Sequence, residues 1–103
     1  MKHIAIVALA AGVGWAPISQ AQDAKAAEAA LKSNGCTKCH AVSADKDGPS
    51  FKKVAAKYKG KPNGAETIEG ELKKGMVGGE KKHRVFKGSD ADLKQVVQYI
   101  LSR

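Results

Sequence analysis

Two cysteines and a histidine stand together at residues 36–40, in the order Cys36-Thr37-Lys38-Cys39-His40, and the chain has no other cysteine. Four chemistries are open to such a group. A disulfide between Cys36 and Cys39 would close a very small loop and restrict the unfolded chain little, so it would be a weak staple. A zinc site needs four ligands, or three and a water. Beyond residue 21 the soft donors are Cys36, Cys39, His40 and His83, so a Cys₂His₂ site is arithmetically possible. A dithiol oxidoreductase would place its Cys-x-x-Cys at a helix N-terminus, usually in a sheet-based fold. Lastly, two thiols separated by two residues can add to the vinyl groups of a haem, and the histidine that follows is then held beneath the iron.

The elements that must position this group read as helices. The 103 residues suffice for one small domain. The first part has the pattern of a secretory signal: Lys2, then an uncharged apolar run over residues 4–15, then the small-residue patch Ser19-Gln20-Ala21. The run is shorter than the roughly 20 residues that span a bilayer. Cleavage after Ala21 is expected, leaving residues 22–103 as the mature domain in the periplasm. Loss of Lys2 lowers the formal net charge of +8 by one. A domain this small rarely builds a sufficient core unaided, which makes a covalently held group all the more telling.

A first helix is expected over about 24–33, rich in alanine, with Asp23 as cap and Gly35 beyond its end. Pro49 and Gly60 bracket a second, whose stripe is Phe51, Val54, Ala55 and Tyr58. A third, short one carries Ile68 and Leu72 and stops at Gly75. The fourth opens with Ser89 and with Asp92 three residues on, as in a capping box. Leu93, Val96, Val97, Ile100 and Leu101 follow at helical spacing. No convincing strand is found, which argues against a thioredoxin-like fold. Export, the helical pattern, the small size and the absence of further cysteines all favour haem over zinc or dithiol chemistry.

The chain resembles the small bacterial class I cytochromes c. The resemblance runs through "GCTKCH", "GPSF", "VAAKYKG", "LKKG" and "SDADLKQVVQYIL", nearly the whole expected mature sequence. It implies an all-α fold of about four short helices around one haem c, joined by thioethers to Cys36 and Cys39 and ligated by His40. The first and last helices would then cross, bringing Ala27 and Leu31 to Val96, Tyr99 and Ile100. The Pro49 carbonyl would accept the Nδ1–H of His40; on residues alone, Pro49 is simply a proline in the first turn of a helix. The family normally supplies a methionine as sixth ligand, from a proline-rich loop before the last helix. Here that stretch reads "KKGMVGGEKKHRVFKGSDAD" and has no proline. His83 lies at about the family's distance from the last helix, while Met76 comes early and is better suited to packing against the haem edge or core. His83 is therefore the expected sixth ligand, with Met76 as the alternative.

A six-coordinate haem has no vacancy for substrate, and no catalytic constellation is visible elsewhere. One-electron transfer by a monomeric carrier, not an enzyme, is the implied function. A haem sensor and a haem subunit of a larger oxidoreductase are the alternatives. Lys52, Lys53, Lys57, Lys59 and Lys61 form one basic group, and Lys73, Lys74, Lys81, Lys82, Arg84 and Lys87 another. They read either as a solvated face or as a surface steering acidic redox partners, such as other cytochromes c or a terminal oxidase or reductase. Nucleic acid is not expected as a partner of an exported haem protein.

Overall fold

The structure is a computed structural model and describes Gly12 and residues 20–103, with side chains from Ala24 onward. The expected export signal therefore lies almost wholly outside the described residues. Four helices make up most of the rest: α1 (Gln20–Ser33), α2 (Phe51–Tyr58), α3 (Gly64–Lys74) and α4 (Asp90–Leu101). None of the described helices is long and apolar enough to cross a membrane.

Helix α1 begins at Gln20 and so takes Asp23 into its body; that residue is not the cap. Ser50 caps α2, its hydroxyl accepting from the Lys53 N–H at 3.2 Å. Pro49 thus precedes the cap and is not the first helical residue. Ser89 caps α4 and accepts from the Asp92 N–H at 3.1 Å, the forward half of the expected capping box. Helix α3 ends at Gly75, whose φ of 73° lies in the left-handed region. A side chain there would also meet Val85 and the His83 carbonyl, within 2.9 Å, so the glycine serves both the turn and the close approach of the following segment.

One expectation fails. Two-residue strands β1 (Met76–Val77) and β2 (Lys81–Lys82) pair antiparallel, Met76 opposite Lys82 and Val77 opposite Lys81. Gly78 and Gly79, both at positive φ, let the chain reverse between them. Strands this short have no alternation to read, which is why the sequence pattern did not reveal them.

The core forms two clusters on either side of α4. Leu31, Phe51, Val96 and Ile100 make one, with Ala30, Cys36 and Tyr99 at its margin. Tyr58, Ile68, Leu93 and Val97 make the other, flanked by Leu72 and Leu101. Val54 and Phe86 pack against both. The crossing of first and last helices is thus present, with Ala27 fully buried as well. Leu93 is 2 % exposed at the centre of the second cluster. Leu93→Ala should lower unfolding stability by about 2–5 kcal/mol, the range for removing a buried leucine side chain. Urea titration followed by circular dichroism measures it.

Candidate functional site

The attachment turn starts where α1 ends. Residues Cys36–Lys38 form one 3₁₀ turn, and the N–H groups of Cys39 and His40 both donate to the Cys36 carbonyl, at 3.2 and 2.9 Å. Cys36 is half-buried against the first core cluster and Cys39 is exposed; neither is joined to the other as a disulfide. Burial pushes the Cys36 thiol above its ordinary pKa, against the pull of its backbone hydrogen bond and of the Arg84 charge.

The loop after His40 folds back on it. His40 pairs with Asp45 in an isolated antiparallel bridge, and Gly48 N–H donates to the Cys39 carbonyl at 2.8 Å. Phe51 N–H reaches the Ala41 carbonyl at 2.9 Å. Asp45 organises the far side: its carboxylate accepts from the Ser50 N–H at 3.0 Å and pairs with Lys53. These ties bring the Pro49 carbonyl to the His40 ring, where it accepts from Nδ1–H at 2.6 Å. Gly48 lies under the imidazole; a side chain there would meet Nδ1 and Nε2 at 2.8 and 3.0 Å, so only glycine leaves room for the ring. On another side His40 stacks with Phe51, centroids 5.6 Å apart, and Phe51 meets Tyr99 edge-on at 6.4 Å. The ring is thereby fixed to the hydrophobic core.

His83 arrives from the opposite direction. It follows the hairpin in a segment without helix or strand, yet its N–H donates to the Gly75 carbonyl at 2.8 Å. Its Nδ1–H donates to the Arg84 carbonyl at 2.8 Å. Phe86 N–H reaches the Leu72 carbonyl at 2.9 Å, and Lys87 N–H the Asn34 side-chain oxygen at 2.7 Å. The outcome is that two imidazoles 43 positions apart in the chain face one another with ring centroids 6.0 Å apart, tilted by 31°.

Both rings have a defined tautomer. A backbone carbonyl can only accept, so in each histidine Nδ1 carries a proton, and in the neutral ring Nε2 is then the nitrogen with the free lone pair. Two imidazoles sharing one metal through Nε2, with about 2 Å per bond and about 1 Å from ring centre to nitrogen, have centroids about 6 Å apart. The observed separation fits one iron between them. Among the described residues no group of three or more His, Cys, Asp or Glu side chains is arranged to hold a metal ion, so the zinc reading has no donor set. Met76 sits on the hairpin and is 40 % exposed.

Several contributors carried no clear signal in the sequence. Asn34 accepts from a backbone group 53 positions away, and Asp45 and Gly48 act on partners that no spacing rule marks. Phe51 was legible as a core position, not as a wall of the histidine site.

The cytochrome c family model matches residues 24–103. The chain is 36% identical to cytochrome c-552 of Hydrogenobacter thermophilus over 104 residues, covering 99% of this chain and 98% of that protein. It is 36% identical to cytochrome c-551 of Azotobacter vinelandii over 77 residues, 73% of this chain and 94% of the relative. Among solved structures it is similar to the class 1 cytochrome MtoD of Sideroxydans lithotrophicus ES-1, with a TM-score of 0.70 and 37% identity, covering 78% of this chain and 95% of that one.

The Asp45 brace has a pH signature. The hydrogen bond from Lys53, then that from the Ser50 N–H, hold its carboxyl below the usual aspartate pKa. A carboxyl depressed in the folded state stabilises the fold above its unfolded pKa, and that contribution disappears as pH falls through the folded value. Asp45→Asn should therefore be less stable than the parent at pH 7, and the two should converge below about pH 4. Urea midpoints of both proteins at pH 7 and pH 3 measure this; a gap unchanged at pH 3 would refute the brace.

Proposed function

The chain belongs to the cytochrome c family, and from that premise we propose that it is a periplasmic one-electron carrier whose single haem c is held between His40 and His83. Haem c, covalently attached as the family implies, supplies the ferric/ferrous couple. The observation that carries the ligand assignment is the pair of facing imidazoles, 6.0 Å apart, each with its Nδ1 proton committed to a backbone carbonyl.

What the chain's own residues do follows from that arrangement. Cys36 and Cys39 are the attachment points, the first against the core and the second toward solvent. The Pro49 and Arg84 carbonyls draw on the Nδ1 protons, which orients each ring and makes each Nε2 a stronger donor to a metal. Phe51, stacked on His40, excludes water from one side of the site. Both ligands are imidazoles, so the potential lies below that of His/Met relatives, because thioether ligation raises it. With His40 and His83 both holding the iron, no position would be left for a gas or a substrate, and the site would suit electron transfer over gas sensing or catalysis. The leader pattern of residues 1–21 supports export.

The basic surface supports acidic redox partners. Lys52, Lys59, Lys74, Lys81, Lys82 and Lys87 are exposed. Lys53 pairs with Asp45 and Lys73 with Asp90, which removes those two from the free set. Lys57 and Lys61 lie over the Tyr58 ring, at 5.4 and 5.1 Å from its centre, and still present their charge outward.

Substitution at the two candidate ligands tests the assignment. His83→Ala should shift the iron toward high spin and admit carbon monoxide to the ferrous protein. His83→Met should introduce the weak red-edge charge-transfer band of methionine ligation and raise the reduction potential. A rise of about 100 mV corresponds to roughly 2.3 kcal/mol for one electron. Met76→Leu should leave the spectrum unchanged and cost at most about 1.5 kcal/mol of stability. The reverse pattern would transfer the site to Met76 and remove the low-potential assignment. Carbon monoxide binding by the unmodified protein would favour a sensor.

The partner reading has its own measurement. Electron exchange with an acidic redox protein should slow steeply as ionic strength rises, because the Debye length falls from about 30 Å at 0.01 M to about 3 Å at 1 M. A flat salt dependence in stopped-flow kinetics would indicate docking through apolar contacts instead.

A further inference from the structure

Residues 83–87 have no secondary structure of their own, so the hydrogen bonds of that segment determine where His83 sits. Two of them run back to α3, from His83 N–H to the Gly75 carbonyl and from Phe86 N–H to the Leu72 carbonyl. These partners are close in sequence, and they would let the segment swing as a flap hinged on α3. Two others run to the far side of the site and end on one residue. Asn34 accepts from the Lys87 N–H through its side-chain oxygen, at 2.7 Å, and its carbonyl faces the Arg84 guanidinium at 3.4 Å.

Asn34 is itself anchored. Its Nδ2 donates to the Ala30 carbonyl at 2.9 Å and its backbone N–H to the same oxygen at 3.0 Å. It stands two residues before Cys36, at the end of α1. Arg84 completes the connection from the other side: its carbonyl accepts the His83 Nδ1–H, while its side chain lies against Gly35. One residue thus orients the His83 ring through its backbone and grips the attachment turn through its guanidinium. A cleft lined by Ala30, Ser33, Asn34, Phe86 and Lys87 runs beside these contacts, so water can compete for them.

We propose that Asn34, acting with Arg84, is a positioning residue for the sixth ligand: the two form a clasp that holds segment 83–87 closed and keeps small ligands away from the iron. The inference rests on His83 as sixth ligand. Every opening of the flap must break the Asn34 contacts, whereas the α3 contacts can persist as its hinge. Loss of the clasp therefore raises the fraction of time His83 spends away from His40, without requiring the domain to unfold.

Cyanide binding to the ferric holoprotein reads this directly, because entry waits for departure of the sixth ligand. In stopped-flow, Asn34→Ala should bind cyanide about tenfold faster than the parent, equivalent to about 1.4 kcal/mol in the opening equilibrium. Arg84→Ala should accelerate binding to a smaller degree, its contact being longer. Asn34→Asp retains an oxygen to accept from Lys87 and should keep most of the slow rate. Ile68→Val, buried in the other cluster, should lower the thermal midpoint without accelerating cyanide. An unchanged rate in Asn34→Ala overturns the clasp, and so does equal acceleration by Ile68→Val, which would mean that access needs general unfolding. Near-infrared magnetic circular dichroism of the ferric parent separates the two failures. An imidazole signature with an unchanged Asn34→Ala rate removes the clasp alone, and a methionine signature removes the His83 reading and the clasp together.

Discussion

Helix α4 packs against α1, α2 and α3 alike, and the remaining geometry depends on that. Its apolar positions are too many for a single narrow stripe. Val96 and Ile100 enter the cluster of Leu31 and Phe51, while Leu93 and Val97 enter that of Tyr58 and Ile68. A helix buried on two flanks cannot rotate without exposing one of them, at a cost of about 25 cal/mol for each Å² of apolar surface. The three other helices are therefore placed relative to one another through α4, and the two loops that carry histidines hang from fixed ends.

Those loops contain little regular structure, so their polar backbone groups need partners from elsewhere. The partners are what bring the histidines together. Residues 41–50 fold over the attachment turn because Cys39, Ala41 and Val42 carbonyls take N–H groups from Gly48, Phe51 and Lys52. Residues 83–87 are held between the end of α3 and the end of α1. In each loop one spare carbonyl, of Pro49 or of Arg84, is left facing an imidazole Nδ1. Satisfying the loop backbone and selecting the ring tautomer are the same set of contacts. No described buried side-chain polar atom lacks a hydrogen-bond partner, in keeping with that economy.

The surface obeys a different rule. Exposed ion pairs such as Lys73–Asp90, at 2.7 Å, contribute little to stability because water and salt screen them. The excess of lysine is better understood through the field it makes around the molecule than through individual contacts. A field of that kind acts on the rate and orientation of encounter, which matters for a carrier that must meet and leave its partners.

Much was legible in the residues alone. The family with its haem c, the four helices and most of the core follow from local rules: a motif of five adjacent residues, caps at helix ends, and apolar positions at a period of 3.6. Such features need no knowledge of distant parts of the chain. Ser89 and Gly75 marked helix ends correctly for the same reason. The leftward extension of α1 past Asp23, and the place of Pro49 before the cap, escaped because boundaries depend on small competing terms. The hairpin at residues 76–82 escaped because two-residue strands have no period. What only the tertiary structure decided is the meeting of His40 and His83 across 6.0 Å, and the parts of Gly48, Asp45, Asn34 and Arg84 in it. Gly48 and Asp45 act on partners five to eight positions away that no motif marks, while Asn34 and Arg84 act across about fifty positions, a contact that exists only once α4 has brought its neighbours together.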